Sequence, residues 1–362
     1  MLVSVVVPMF EAAGTIARTL RSAQAQTHAE LEIIVVDDGS TDDGTAIVAA
    51  AAARDPRIAL IRGANGGVAA ARNRAIAMAR GAFIAPLDAD DLWDPRKIEL
   101  QLARFAATGD DTVLVYNWFV PIDGADRVSG AAAMPVVEGT AFHRHLDWNF
   151  ISNGSTPLVR ADALRAFGYD PALRAADAQG CEDYLMQLLL ARRGSFACVP
   201  AFLTGYRKVA GSMAGNVARM IRSHMLVLDR VTAGEGVAVR RIAATRLAEF
   251  GVELARHHVR RGRVVPAARA LAVAFARDPR AAAAHVRRQW TLMRARGATA
   301  AAPPGAAFPL ADPFAPIGFP LPPARLRRLR PLEVLDAQSS ASSRASAASV
   351  ADGVQVEGGS PA

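Results

Sequence analysis

Cysteine is nearly absent: Cys181 and Cys198 are the only two in 362 residues. Two thiols cannot build a disulfide framework or, alone, a metal cluster, so both are expected to be small buried hydrophobes. His143 and His145 are close in sequence, but no further His or Cys is spaced to complete a metal site with them. Long apolar runs are also missing, and none approaches the roughly 18 residues of a membrane-spanning helix. Met1 to Pro8 is too short for a signal peptide and lacks the basic start of one, so a cytoplasmic protein is expected. Aromatics make up 6% of the chain and are not interleaved among the basic residues of its C-terminal third. That pattern argues against nucleic acid as a partner.

What is present is enough for a full core, since 51% of the residues are hydrophobic. The net charge of +8 suits an anionic partner of some kind. Acids are plentiful up to Asp183, whereas Arg240 to Arg296 is opposed only by Glu249, Glu253 and Asp278. The basicity therefore belongs to the C-terminal third.

The first ninety residues alternate strand and helix. Leu2–Val7, Leu31–Val36, Ile58–Ile61 and Ala82–Leu87 read as buried strands, and Thr15–Gln26, a segment from Asp43 and Ala69–Arg80 as helices between them. Such alternation implies right-handed crossovers and a mostly parallel sheet covered on both faces. Further on, Pro95–Ala107 and Ala161–Phe167 read as helices and Thr112–Phe119 and Ser155–Val159 as strands.

Ligands of such sheets bind beyond the carboxyl ends of the strands. Two of those ends carry adjacent acids: Asp37 and Asp38, then Asp88, Asp90 and Asp91 in the run IAPLDADDLW. Acids at this spacing repel and resist burial unless a positive group meets them, and hard oxygens in a short turn suit Mg²⁺ or Mn²⁺. Asp38 could accept from a base or a ribose hydroxyl, and Arg72 could meet a base or a phosphate. Taken singly, each acidic turn also reads as a helix cap. Glu182 and Asp183 fall in the first turn of a helix whose buried face is Leu185, Leu188 and Leu189. They could simply answer the helix dipole, or one could serve as general base for a hydroxyl nucleophile.

The ordered set VSVVVPMFE, EIIVVDDGSTDDGT, NGGVAAARN, GAFIAPLDADD, then Glu182–Asp183 and Tyr206–Arg207, resembles the family 2 inverting glycosyltransferases with a GT-A-type fold. The resemblance covers about 210 residues, counted from the numbering of those stretches. It implies an α/β fold, Rossmann-like, with helices flanking a mostly parallel sheet. It also implies a donor-nucleotide pocket of Pro8, Glu11, Asp38 and Arg72, a metal pair of Asp88 and Asp90 with Asp88 also near the ribose, and Asp183 as catalytic base. A divalent metal, Mn²⁺ or Mg²⁺, a nucleotide-sugar donor, expected to be a UDP-sugar, and a hydroxyl acceptor, lipid-linked or glycan, come with it. Many relatives have Tyr-Asn where this chain has Phe10 and Glu11. No Gln-x-x-Arg-Trp element of processive synthases is found, so transfer of a single sugar is expected in cell-envelope polysaccharide synthesis.

The implied organisation is a catalytic domain over 1–230, an Ala- and Arg-rich helical region over 231–299 and a low-complexity, disordered tail over 300–362. The basic helices, Val237–Arg260 and Pro266–Arg296, could pack on the catalytic domain or meet anionic lipid at the inner face of the membrane. Two other functions are weighed. A sugar nucleotidyltransferase would need Lys or Arg after the first strand to hold a triphosphate, and Pro8–Ala13 has none. A non-catalytic nucleotide- or glycan-binding module would be expected to have lost an acid, yet Asp88, Asp90 and Asp183 are all present.

Overall fold

β1 (Val3–Met9) is buried along its whole length because it lies inside the sheet with helices on both faces, which is why it reads as an unbroken apolar run. The computed structural model describes residues 1–208, 216–294, 305–315 and 317–354. In it, β1 pairs in parallel with β2 (Leu31–Asp37) and β4 (Phe83–Pro86), and β2 with β3 (Ile58–Arg62). The crossovers are α1 (Ile16–Gln24), α2 (Gly44–Ala52) and α3 (Val68–Met78). α1 buries Ile16, Leu20 and Ala23, the face its periodicity predicts.

The second half of the sheet is mixed. β5 (Leu92–Trp93), α4 (Lys97–Ala106), β6 (Thr112–Ile122), α5 (Phe142–Asp147), β7 (Leu158–Arg160), α6 (Ala161–Phe167), α7 (Ala172–Ala175), α8 (Glu182–Ala191) and β8 (Ser195–Arg207) follow in the chain. The eight-stranded order is β3-β2-β1-β4-β7-β6-β8-β5. β7 is antiparallel to both β4 and β6, β5 is antiparallel to β8, and β6 runs parallel to β8. One core lies on the face of α1 and α4, around Ile16, Trp93 and Ile98. The other lies under α3, α6 and α8, around Tyr116, Leu164 and Leu188, and extends onto the C-terminal helices.

Those helices are α9 (Val217–Thr232), α10 (Val237–Val259), α11 (Val264–Arg277) and α12 (Pro279–Arg294). The anticipated Pro266–Arg296 helix is broken at Asp278, which caps the second piece by accepting from the Ala281 amide at 3.0 Å. α10 and α11 cross closely at Gly251, where a Cβ would meet the Ala274 Cβ at 2.8 Å. The boundary expected near residue 230 falls in the last turn of α9.

Here the structure differs from the expectation of a structureless run from Ala300. Phe308 and Ile317 cover the outer sheet beside Val120, Ile122 and Phe202, and the Phe202 amide donates to the Pro313 carbonyl at 2.7 Å. Next comes α13 (Pro323–Val354). Asp336, 1% exposed, accepts from the His143 amide at 2.7 Å, from His143 Nδ1 at 2.9 Å and from Arg144 Nε at 2.7 Å. Arg328 bridges Asp147 on α5 and Glu249 on α10. A few apolar side chains and buried ion pairs fix this segment, a mechanism that composition does not register. The end of the expected helical region, 295–299, and the tail residues 300–304, 316 and 355–362 lie outside the described residues.

Candidate active site

The carboxyl ends of β1, β2 and β4 and the start of α8 converge on one edge of the sheet. At the end of β2, Asp37 accepts from the Ser40 amide at 2.9 Å and fixes the turn. Asp38 turns its carboxylate to the start of α3, accepting from the Gly66 amide at 2.8 Å and the Gly67 amide at 2.7 Å. Gly67 has φ 89°, a conformation that side chains rarely adopt, so glycine is what lets both amides reach one carboxylate. Pro8 lies in β1, opposite Val36. Glu11 follows with φ 50°, in the left-handed region where Asn is far easier to hold. Its carboxylate accepts from the Thr41 amide at 2.7 Å and the Thr41 hydroxyl at 2.9 Å, so this acid ties two strand-end loops together.

The three acids after β4 have three environments. Asp91 is fully buried and built in: its carboxylate accepts from the Arg207 amide at 2.9 Å, Asn153 Nδ2 at 3.1 Å and Ser155 Oγ at 2.6 Å. Burial, with Asp90 and Asp88 nearby, still pushes its carboxyl well up. Asp90 is pushed up to about 6 by burial and by Asp88. Asp88 is partly exposed and ion-pairs through Oδ1 with Arg72 Nη2.

Arg72 itself is buried among acids. Its Nη1 lies 3.5 Å from Glu182 Oε1, its guanidinium sits 5.0 Å from the Tyr169 ring centre, and its Nε has no hydrogen-bond partner. The structure thus places Arg72 beside Asp88 and Glu182.

Asp183 stands in the first turn of α8, as its sequence position predicts. Its Oδ1 accepts from the Tyr184 amide at 2.8 Å, and burial together with Glu182 pushes its carboxyl up to about 7. Gly154 shows how close the groups are. A Cβ built there would lie 3.2 Å from Arg72 Nη2, 3.4 Å from Asp88 Oδ2 and 3.6 Å from Asp183 Oδ2. Gly154 is therefore a functional position that sequence reading missed, and Asn153 and Ser155 beside it hold Asp91. Arg207 was singled out with Tyr206, and the fold gives it a supporting place: Nε donates to the Asp90 carbonyl at 2.6 Å and Nη1 to the Asp123 carbonyl at 2.5 Å. Tyr206 packs edge-on against Phe119, with burial and the Asp91 charge pushing its phenol up.

A divalent cation fits this donor set. Asp90 carries a raised carboxyl, and Asp88, paired with Arg72 through Oδ1, has Oδ2 3.4 Å from where a Cβ at Gly154 would sit. Among the described residues no three His, Cys, Asp or Glu side chains gather as a metal-holding group, so a cation held by Asp88 and Asp90 would have to complete its shell on phosphate and water. His143 and His145 do not contribute. His143 is paired with Asp336, and burial drives the His145 imidazole down to about 3.

Comparison with known proteins places this geometry. Residues 4–154 match the family model for glycosyl transferase family 2. The succinoglycan biosynthesis protein ExoO of Rhizobium meliloti is 32% identical over 253 residues, 68% of this chain and 70% of that protein. An uncharacterized glycosyltransferase of Nostoc is 31% identical over 199 residues, and the match covers 52% of this chain and only 60% of the relative's length. Among solved structures, a mannosyltransferase of Pyrobaculum calidifontis in complex with GDP-Man and Mn²⁺ is 20% identical with a TM-score of 0.53, covering 81% of each chain. Staphylococcus aureus TarS 1-349 in complex with UDP-GlcNAc is 16% identical with a TM-score of 0.52, covering 75% of this chain and 90% of that one. These structures share the fold, and the sequence relatives share the family. On the strength of the Rhizobium match, together with the family model, the chain belongs to glycosyl transferase family 2.

Proposed function

We propose that the protein transfers one sugar from a nucleoside diphosphate sugar to a hydroxyl acceptor with inversion at the anomeric carbon, and that Asp183 is the general base. The observation that carries this reading is the convergence of Asp88, Arg72 and Asp183 around Gly154, with the Asp183 carboxyl raised to about 7. A carboxylate raised that far is a competent base near neutral pH, because its proton affinity approaches that of the medium. The acceptor oxygen forms its bond to the anomeric carbon as the bond to the phosphate oxygen breaks. The electron pair leaves with the nucleoside diphosphate, and the acceptor proton passes to Asp183.

Asp90 with Asp88 would hold the divalent cation, Mn²⁺ or Mg²⁺, which supplies positive charge to the leaving diphosphate. Arg72 pairs with Asp88 through Oδ1 and so fixes the orientation of its carboxylate. Pro8, Glu11 and Asp38 would line the donor's base and ribose. A UDP- or GDP-sugar is the donor class that the ligands of the two structural neighbours favour. Calorimetry with UDP and GDP, each with Mn²⁺ and again with EDTA, tests this. Binding of one of them that needs Mn²⁺ and is lost in Asp90→Ala is expected, and binding indifferent to both metal and Asp90 would overturn it.

Transfer to a lipid-linked acceptor at the inner face of a membrane in cell-envelope polysaccharide synthesis is part of the proposal. No helix among the described residues is long and apolar enough to cross a membrane. The turn between α10 and α11 instead presents Val259, Val264 and Val265, the last two 74% and 75% exposed, among Arg260, Arg261 and Arg263. Exposed apolar side chains ringed by arginine favour an anionic lipid surface. Sedimentation with phosphatidylglycerol vesicles, lost in Val264→Asp/Val265→Asp, is the expected outcome, and equal sedimentation with phosphatidylcholine would refute it.

A further inference from the structure

Beside Asp183 lies a cavity of about 280 Å³. Its floor is the loop after α5, with Trp148, Asn149 and Ser152, and its other wall comes from α9 and α10, beyond the residues that match the family model. Along that wall aromatic rings follow one another in contact. Tyr184, next to Asp183, lies 5.4 Å from the His224 ring, His224 lies 5.2 Å from Phe250, and the Arg246 guanidinium sits 4.7 Å from the Phe250 ring centre. Burial holds His224 neutral, which leaves Arg246 as the cation of the lining. Flat aromatic faces with a few polar groups at the ends are what a sugar ring binds, through its C–H faces and its hydroxyls.

Behind this wall the cations are shared among few acids. Arg246 and Arg328 share Glu249, and Arg328 also shares Asp147 with Arg325, 3.6 Å away. Glu253, one turn further along α10, lies 3.4 Å from His285, and Asp183 lines the cavity at its other end. The guanidinium in the lining is that of Arg246. An anionic group in the cavity would make a charge-assisted contact with it, stronger than a neutral one.

We propose that this cavity is the acceptor site, and that it takes a saccharide end carrying a carboxylate or phosphate, with the anionic group on Arg246 and a hydroxyl at Asp183. The inference rests on the reading of Asp183 as base. Its volume lies at the small end of the roughly 300–1,000 Å³ typical of ligand pockets, so it fits about one sugar ring and not a long oligosaccharide. The two sources of negative charge, a uronic acid and a sugar phosphate, share the same recognition chemistry. The basic helical region then has a second use: α10 completes a substrate site that the α/β half leaves open.

The test is calorimetric titration of the full chain with methyl glycosides of glucuronic and galacturonic acid and with glucose and galactose 1-phosphates. Uncharged methyl glucoside and methyl galactoside serve as the reference. At least one charged probe is expected to bind about tenfold or more tightly than its uncharged counterpart, the worth of one charge-assisted pair. Arg246→Gln should abolish that preference and Arg246→Lys keep part of it, with UDP or GDP binding unchanged in both, which also shows that the variants are folded. Preference for the uronides or for the phosphates names the source. No preference for charge, including no binding of any probe, or a preference that survives Arg246→Gln, overturns the inference even if nucleotide binding stands. Loss of nucleotide affinity in Arg246→Gln would overturn it too, by placing that residue on the donor. Absent nucleotide binding with the charge preference intact would instead sink the donor reading alone.

Discussion

The two sides of the site are built on different principles. On the side proposed for the donor, Asp37 and Asp38 stand at the end of β2 and accept from backbone amides of neighbouring turns, and Asp88 after β4 pairs with Arg72 of α3. On the acceptor side, the loop from Trp148 to Gly154 is held by side chains from far along the chain. His143 and Arg144 at its root meet Asp336, and Asp147 meets Arg328. Strand ends in a parallel sheet give a rigid, locally encoded edge. The other side depends on long-range ion pairs, so substitutions there should change acceptor handling and stability without touching donor binding.

The largest effect that probes this division is Asp183→Asn. Loss of general base catalysis should lower kcat about 10²- to 10⁴-fold with little change in nucleotide affinity. In the wild type, the base is protonated below its raised value, so kcat/KM should fall as pH drops below about 7 and level off above it. The acidic limb should vanish from the residual activity of the variant, and a bound cation that offsets Asp88 should move the limb to lower pH. Retained full activity would remove Asp183 from the chemistry.

Next in size is Asp336→Ala. It strips a buried carboxylate from Arg144 and from the His143 amide, which should lower unfolding free energy by about 3 kcal/mol in urea denaturation. Metal-dependent nucleotide affinity should stay as it was. A parallel loss of nucleotide binding would break the contrast between the two sides. The smallest effect expected is Gly154→Ala, at the place where the sides meet. Its Cβ presses on Arg72 Nη2 and Asp88 Oδ2, and a misplacement of that size should lower kcat/KM about tenfold without lowering the melting temperature. An effect on KM for the acceptor alone would instead put Gly154 wholly on the acceptor side.

How much of this was legible follows the same line. The period of the apolar residues gave β1 to β4 and the helices between them to within a residue or two, although β3, read as buried, is an edge strand in which only Ile58 is buried. β8 escaped notice, since Pro200 and Gly205 interrupt its thirteen residues and its register against β6 shifts near Trp118. β5 is two residues long and carries no pattern at all. α13 was hidden in a stretch rich in Pro, Ala and Ser, although Leu329, Leu332 and Asp336 share one buried side of it. The acids were visible as acids, and the resemblance separated Asp88 and Asp90 from Asp183, but that Asp91 is buried scaffold while Asp88 is partly exposed was not. Burial and neighbours decide that, and neither is a property of the residue.

By itself the sequence determined the alternating α/β frame, the placing of acids at strand ends and the helix that carries Asp183, because each depends on residues within a turn or two of one another. Only the tertiary structure decided that Arg72 lies among the acids, that Gly154 joins Asp88 to Asp183, and that α9 and α10 enclose a cavity beside the base. Those outcomes arise from packing between segments far apart in the chain, Arg72 and Glu182 being 110 residues from one another, and separation along the chain carries no record of it.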